Sequence, residues 1–125
     1  MKKIYIITFT LVLSYAAFGQ QTTPLFDGGP GVSEKLNPYI YSQLRKPEPD
    51  TIVGRFTIVI QYAIDVDGSV VDTKIVQGAH PILDAEVLRV FNSIPKELWT
   101  PALNNRGKPV KSQIISPVFY DRQPD

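Results

Sequence analysis

One alternating run of residues constrains the fold more than any other part of this chain. From Gly54 the sequence reads GRFTIVIQYAID. Side chains of a β-strand point alternately to the two faces of a sheet, so this run predicts a half-buried strand with one strongly apolar face. That face carries Phe56, Ile58, Ile60, Tyr62 and Ile64.

The alternating run ends in a hairpin signal. Residues 65–68 read Asp-Val-Asp-Gly, and Gly68 can adopt the positive φ that a tight turn needs. Residues 70–76 then return as a second strand. An Asp-x-Asp-Gly sequence also begins calcium-binding loops, but the later oxygen ligands of such a loop are missing. We therefore interpret residues 65–68 as a plain β-turn.

Residues 81–92 predict the clearest helix of the chain. Pro81 suits its first turn, and Pro95 marks its end. The only histidine, His80, stands at the entry to this helix and has no partner residues for a metal site. We expect His80 to cap the helix or to face solvent. The apolar stripe of the helix consists of Leu83, Val87, Val90 and Phe91.

The remaining periodic segments complete the predicted fold. Residues 110–120 predict a last strand, in which Pro117 indicates an edge position or a bulge. Residues 32–44 predict a short, imperfect helix that packs its apolar side on the sheet. Trp99 is more typical of a core residue than of an exposed recognition platform. The predicted class is α+β, with a three-stranded antiparallel sheet and helices packed on one face.

The N-terminus reads as a targeting segment. Lys2 and Lys3 precede an apolar stretch that ends in the small-x-small sequence Ala-Phe-Gly at residues 17–19. That stretch is about 15 residues long, shorter than the ~20 that span a bilayer. We predict a signal peptide over 1–19, a flexible lead-in over 20–30 and one domain over 31–122. The expected location is the periplasm; the alternative is an uncleaved segment that anchors the chain in the inner membrane.

Composition excludes several classes of function. The chain has no cysteine and a formal net charge of +1, which becomes −1 without Lys2 and Lys3. Near-neutral charge gives no electrostatic reason to expect nucleic acid as a partner. No nucleophile stands with a base and an orienting group. We predict no enzyme activity, no small-molecule substrate, no cofactor and no metal.

The order of short motifs resembles the C-terminal domain of TonB, in particular the branch of that family common in Bacteroidetes. The resemblance covers roughly residues 24–120. Its pieces are Pro24 to Gly29, Gly54-Arg55-Phe56, Asp67 to Val70, Leu83 to Val90, Ile94-Pro95, Trp99 to Ala102, Gly107 to Val110 and Pro117-Val118-Phe119.

The resemblance implies capture of an extended peptide. In the TonB family, a segment of an outer-membrane receptor, the TonB box, adds as a strand to an exposed sheet edge (β-augmentation) and couples the domain to transmembrane transport. Carried over, the peptide-binding edge comprises Val110, Lys111, Ser112, Gln113, Ile114, Ile115 and Ser116. A second, pre-strand segment comprises Gln43, Leu44 and Arg45; Lys46 replaces the tyrosine of the family's Tyr-Pro pair.

The resemblance leaves two functions open, because we expect the mature chain to lack the family's usual membrane anchor and Pro-rich spacer. The first is a free periplasmic module that binds extended segments of TonB-dependent outer-membrane transporters. The second is a structural envelope module that forms a homodimer, or pairs with another envelope protein, through the same edge strand and has no transport role. An exposed edge strand needs to be covered, paired or blunted, and Lys111 and Pro117 are candidates for blunting it.

Overall fold

A computed structural model describes residues 11–14, 22–27, 32–45 and 52–123. Within these ranges, no helix combines the length and the apolar character that would let it cross a bilayer. The elements in chain order are β1 (Leu11–Ser14), β2 (Leu25–Phe26), α1 (Val32–Gln43), β3 (Gly54–Ile64), β4 (Val70–Gln77), α2 (Pro81–Asn92), a 3-10 turn (Lys96–Leu98), β5 (Trp99–Thr100), β6 (Ala102–Leu103), β7 (Pro109–Val110) and β8 (Ser112–Arg122).

The predicted hairpin is confirmed. Strands β3 and β4 pair antiparallel around the turn at residues 65–69, where Gly68 has φ +91°. The turn is closed by the Gly68 amide, which donates to the Asp65 carbonyl at 2.9 Å. A side chain at Gly68 would meet the carbonyl oxygens of Lys96 and Trp99 at 2.6 and 2.9 Å. Glycine is therefore required there both by the backbone angle and by the neighbouring chain.

The three long strands form the predicted antiparallel sheet, and a fourth short strand extends it. The order is β1-β8-β3-β4. Strand β8 pairs with β3 over eleven consecutive positions, from Gly54↔Arg122 to Ile64↔Ser112, without a register shift. Strand β1 pairs antiparallel with the beginning of β8. The extra strand belongs to the segment predicted to be the signal peptide.

Strand β4, at the other edge of the sheet, is irregular. Its pairing with β3 shifts register twice, between Val59 and Ile60 and between Gln61 and Ala63. On β4 the extra residues fall at Val76 and around Asp72, which has φ +55°. Such β-bulges twist an edge and interrupt its row of hydrogen-bonding groups. The two outer parts of the sheet therefore differ in regularity.

Both helices contribute to one core, on the face of the sheet to which the buried side chains of β3 point. Helix α1 includes Pro38 and buries Leu36 and Ile40, and α2 buries the predicted stripe. Trp99 is a core residue, as predicted, with 4% of its surface exposed. The α+β class with helices on the sheet is thereby confirmed. The buried cluster comprises Phe26, Leu36, Ile40, Ile52, Ile58, Ile60, Tyr62, Ile64, Leu83, Val87, Val90, Phe91, Ile94, Trp99, Ile114 and Val118.

Residues 22–27 are tied to the domain, although the sequence places them in a flexible lead-in. Phe26 is 2% exposed and packs edge-on against Trp99, with ring centroids 5.1 Å apart. Strand β2 pairs with β5, and the Thr22 amide donates to the Leu103 carbonyl at 2.9 Å. The reason is a contact between distant residues: Phe26 is buried against Trp99, and periodicity over a few residues does not reveal such a contact.

Candidate peptide-binding edge

The predicted edge divides into two parts at Lys111. Val110 belongs to β7 and pairs with Ala102 of β6, so the single strand predicted over 110–120 is in fact two strands. Lys111 lies between them. The regular part of the edge begins at Ser112 and includes the predicted residues Gln113, Ile114, Ile115 and Ser116.

Strand β8 is paired on both sides near its beginning. One side faces β3 along its whole length. The other side carries the four residues of β1, in the register Leu11↔Ile115, Val12↔Ile114, Leu13↔Gln113 and Ser14↔Ser112. The edge that the sequence assigns to a foreign peptide therefore holds an antiparallel segment of the same chain.

Two observations show which amides of β8 point away from β3. Pro117 has no N–H, and a proline within a sheet is tolerated where its nitrogen faces outward. In addition, the Phe119 backbone has a lowering effect on the pKa of the Tyr41 phenol. A hydrogen-bond donor has this effect, so the Phe119 amide points outward, towards Tyr41. Because amides alternate along a strand, those of Gln113 and Ile115 also face outward, towards β1.

Tyr41 on α1 marks where the outward edge of β8 becomes covered. Desolvation raises the pKa of Tyr41 to about 12, and the nearby Asp121 carboxylate adds to the rise. The hydroxyl is buried without a hydrogen bond of standard geometry among the described residues, although the Phe119 amide lies close. Sequence reasoning missed this residue, because nothing in the periodicity of residues 32–44 distinguishes Tyr41.

Alternate side chains of β8 enter the core. Ile114 and Ser112 are fully buried, and Ser116 is 3% exposed. The hydroxyls of Ser116 and Tyr62 lie 3.0 Å apart, which satisfies two polar groups inside the core. Gln113, Ile115 and Pro117 occupy the opposite face and are half-buried. A bound peptide at this edge would thus meet main-chain groups first and the Ile115 face second.

Lys111 is held by an ion pair at the start of the edge. Its ammonium lies 2.6 Å from the carboxylate of Asp72 on β4. The two side chains are 41% and 63% exposed, so the pair contributes little to stability. It does direct the lysine across β3 towards β4.

The predicted pre-strand segment lies at the end of α1, against α2. The Arg45 amide donates to Glu86 at 2.6 Å, and the guanidinium of Arg89 donates to the Gln43 carbonyl at 2.9 Å. Leu44 packs partly into the core. Hydrogen bonds from Arg89, then from Arg45, lower the pKa of Glu86 from 4.5 to about 2. These contacts fasten α1 to α2 beside Tyr41; a peptide-binding role for residues 43–45 stays a prediction.

The other candidate residues have structural roles. His80 is the N-cap of α2, and its Nδ1 accepts a hydrogen bond from the Ile82 amide at 3.1 Å, as predicted. Among the described residues, no group of three histidine, aspartate or glutamate side chains is arranged to hold a metal ion.

Comparison with known proteins gives one match. A family model described as the Gram-negative bacterial TonB protein C-terminal domain matches residues 56–121, more than half of the chain. The chain belongs to the TonB C-terminal family. No curated protein and no solved structure shows a significant match.

The TonB C-terminal match begins at the third residue of β3 and ends one residue before the end of β8. It therefore includes the hairpin, α2, Trp99 and the whole candidate edge, whereas β1, β2 and α1 precede it. TonB C-terminal domains are protein-interaction modules of the cell envelope and are not a known enzyme family.

Proposed function

We propose that this TonB C-terminal domain works in the periplasm and captures an extended peptide segment, which adds as an antiparallel strand to residues 112–116 of β8. The partner class is the TonB-box-like segment of an outer-membrane transporter. One observation carries the proposal: the same edge pairs with the four residues of β1 in regular register. An edge that accepts one short antiparallel strand offers the hydrogen-bonding geometry for another.

The difference between the two edges of the sheet supports this choice of strand. Strand β4 carries two register shifts and exposed charges at Asp72 and Lys74, which discourage strand addition. Strand β8 keeps eleven consecutive pairs with β3, so its outward groups repeat regularly. Tyr41 and Pro117 limit the usable length at the far end, which favours a short peptide.

The test is a titration of the chain from residue 20 onward, the form that cleavage would leave. The probe is a synthetic peptide of the periplasmic N-terminal segment of an outer-membrane transporter from the same organism. We expect shifts of the amide NMR signals of Gln113 and Ile115, whose N–H groups face outward. Unchanged signals along residues 112–116 at millimolar peptide would refute strand addition.

Ile115→Pro is the decisive variant. It removes one outward amide, two residues before the proline that the strand already tolerates, and leaves the ladder with β3 in place. We expect about tenfold weaker binding or more, since a lost main-chain hydrogen bond and a steric clash act together. The matched control, Ile115→Thr, changes the same side chain but keeps the amide, and should retain binding. Proline at Ile114 is less suitable, because that side chain is fully buried.

A further inference from the structure

The segment seated on the candidate edge is itself informative. Residues 11–14, Leu-Val-Leu-Ser, carry no charge and form four regular pairs with residues 112–115. They lie upstream of the predicted cleavage site after Gly19. The strand that covers the edge is therefore one that processing would remove.

We propose that residues 11–14 are an intramolecular competitor, which closes the β8 edge in the unprocessed chain and leaves it open once residues 1–19 are cut away. This inference rests on the proposed function, since it names what regulates access to the same edge. The class of partner is the same as in the proposed function: an extended, apolar segment that adds antiparallel to the edge.

Tethering makes such competition effective. Residues 15–21 link β1 to Thr22. The Thr22 amide donates a hydrogen bond to the Leu103 carbonyl of the domain. A short tether gives an effective concentration on the order of millimolar or more. A separate peptide then binds only the fraction of molecules in which the edge is free, and its apparent affinity is reduced in proportion to that fraction.

Closure also has a physical benefit before processing. An unpaired, regular edge strand is a template for pairing with other chains. Strand β8 has no bulge along its pairing with β3, so no irregularity of its own protects it from pairing with another chain. A covering strand from the same chain satisfies the outward groups of residues 112–115 without a second molecule.

The experiment uses the full chain with residues 1–19 retained. In the variant Val12→Pro/Leu13→Pro, adjacent prolines remove one amide of each orientation, so β1 loses a donor to β8 whichever way the strand faces. The control is Ile4→Pro/Tyr5→Pro, which places the same two prolines in the apolar segment but leaves residues 11–14 unchanged. Amide hydrogen exchange is measured at Gln113 and Ile115, with Ile114 as an internal reference.

We expect exchange at Gln113 and Ile115 to become about tenfold faster in Val12→Pro/Leu13→Pro, which corresponds to an edge that is otherwise free about one-tenth of the time. Ile114 and the control variant should not change. Equal exchange in the parent chain and in Val12→Pro/Leu13→Pro would overturn the inference, because residues 11–14 would then not cover the edge.

A second measurement separates this inference from the proposed function. The probe is a peptide of residues 9–16 with two lysines at each end for solubility, titrated into the same three proteins. We expect about tenfold tighter binding to Val12→Pro/Leu13→Pro than to the parent or the control. Equal binding to all three would overturn competition but leave strand capture standing. Faster exchange with no binding to the opened edge would overturn strand capture itself, and competition with it.

Discussion

The hydroxyl of Tyr62 on β3 lies 3.0 Å from that of Ser116 on β8, and both side chains are buried beneath the helices. The hydrogen bond joins the central strand to the candidate edge strand from the core side. It favours this register of the two strands, because a slip of β8 by one residue would move the Ser116 hydroxyl to the opposite face of the sheet from that of Tyr62.

Removing either hydroxyl should destabilise the domain. We expect Tyr62→Phe and Ser116→Ala each to lower the free energy of unfolding by about 1–3 kcal/mol, because the remaining partner is left buried without its hydrogen bond. The double variant should cost less than the sum of the two singles. Urea denaturation of the four proteins measures the difference, and strictly additive effects would argue against the bond.

Acid should weaken the connection between α1 and α2. Hydrogen bonds from Arg89 and Arg45 lower the pKa of Glu86 to about 2, from the ordinary glutamate value of 4.5. A depressed carboxyl pKa stabilises the fold above the unfolded-state value, and this contribution disappears as the pH falls from about 4.5 towards 2. Unfolding measured between pH 2 and 7 should show this loss.

The variant Glu86→Gln isolates that effect. It should be less stable than the parent at neutral pH, and the difference should shrink as the pH falls towards 2, where Glu86 of the parent becomes protonated. Asp67→Asn serves as a comparison. In the parent, the pKa of the Asp67 carboxylate is lowered by hydrogen bonds with Ser69 in the hairpin turn and not by contacts with α1. A constant stability difference between Glu86→Gln and the parent across the acid range would contradict the assignment.

Alkali should destabilise the domain through buried tyrosines. Burial raises the pKa of Tyr62, and desolvation raises that of Tyr41 to about 12. In the unfolded chain both phenols ionise near pH 10, so the unfolded state loses protons first and stability falls as the pH rises above that value. Unfolding of the parent and of Tyr41→Phe between pH 8 and 11 should show a shallower decline for the variant.

Two turn glycines separate backbone strain from crowding. Gly68 and Gly107 both have positive φ, at +91° and +74°, but only Gly68 has neighbouring atoms where a Cβ would lie. We expect Gly107→Ala to cost about 1–2 kcal/mol from the backbone angle alone. Gly68→Ala should cost a further ~1–3 kcal/mol from overpacking. Thermal or urea unfolding that gave equal losses would show that the turn relaxes away from Trp99.

Local patterns in the sequence predicted the parts of this fold that local interactions determine. The period-two run of β3, the Asp-Gly turn and the apolar stripe of α2 each lie within about a dozen residues, and His80 caps the helix that it precedes. The burial of Trp99 also followed from its type, since large aromatic residues are rarely left exposed beside an extended segment.

The features that were not predicted depend on contacts between distant residues. Phe26 is held by Trp99, the outward edge of β8 ends at Tyr41, and β1 pairs with residues a hundred positions later in the chain. The break at Lys111 likewise depends on β6, which draws Val110 into its own ladder. No short-range periodicity reports such pairings.

The two bulges of β4 have a consequence for assembly. Growth of a β-ribbon from molecule to molecule needs two receptive sides on every copy, so that each addition exposes a new site. Here one side repeats regularly and the other is interrupted at Asp72 and Val76. If strand β8 captures a peptide as proposed, we therefore expect the addition to end there, in a one-to-one complex or a closed pair and not in a fibre.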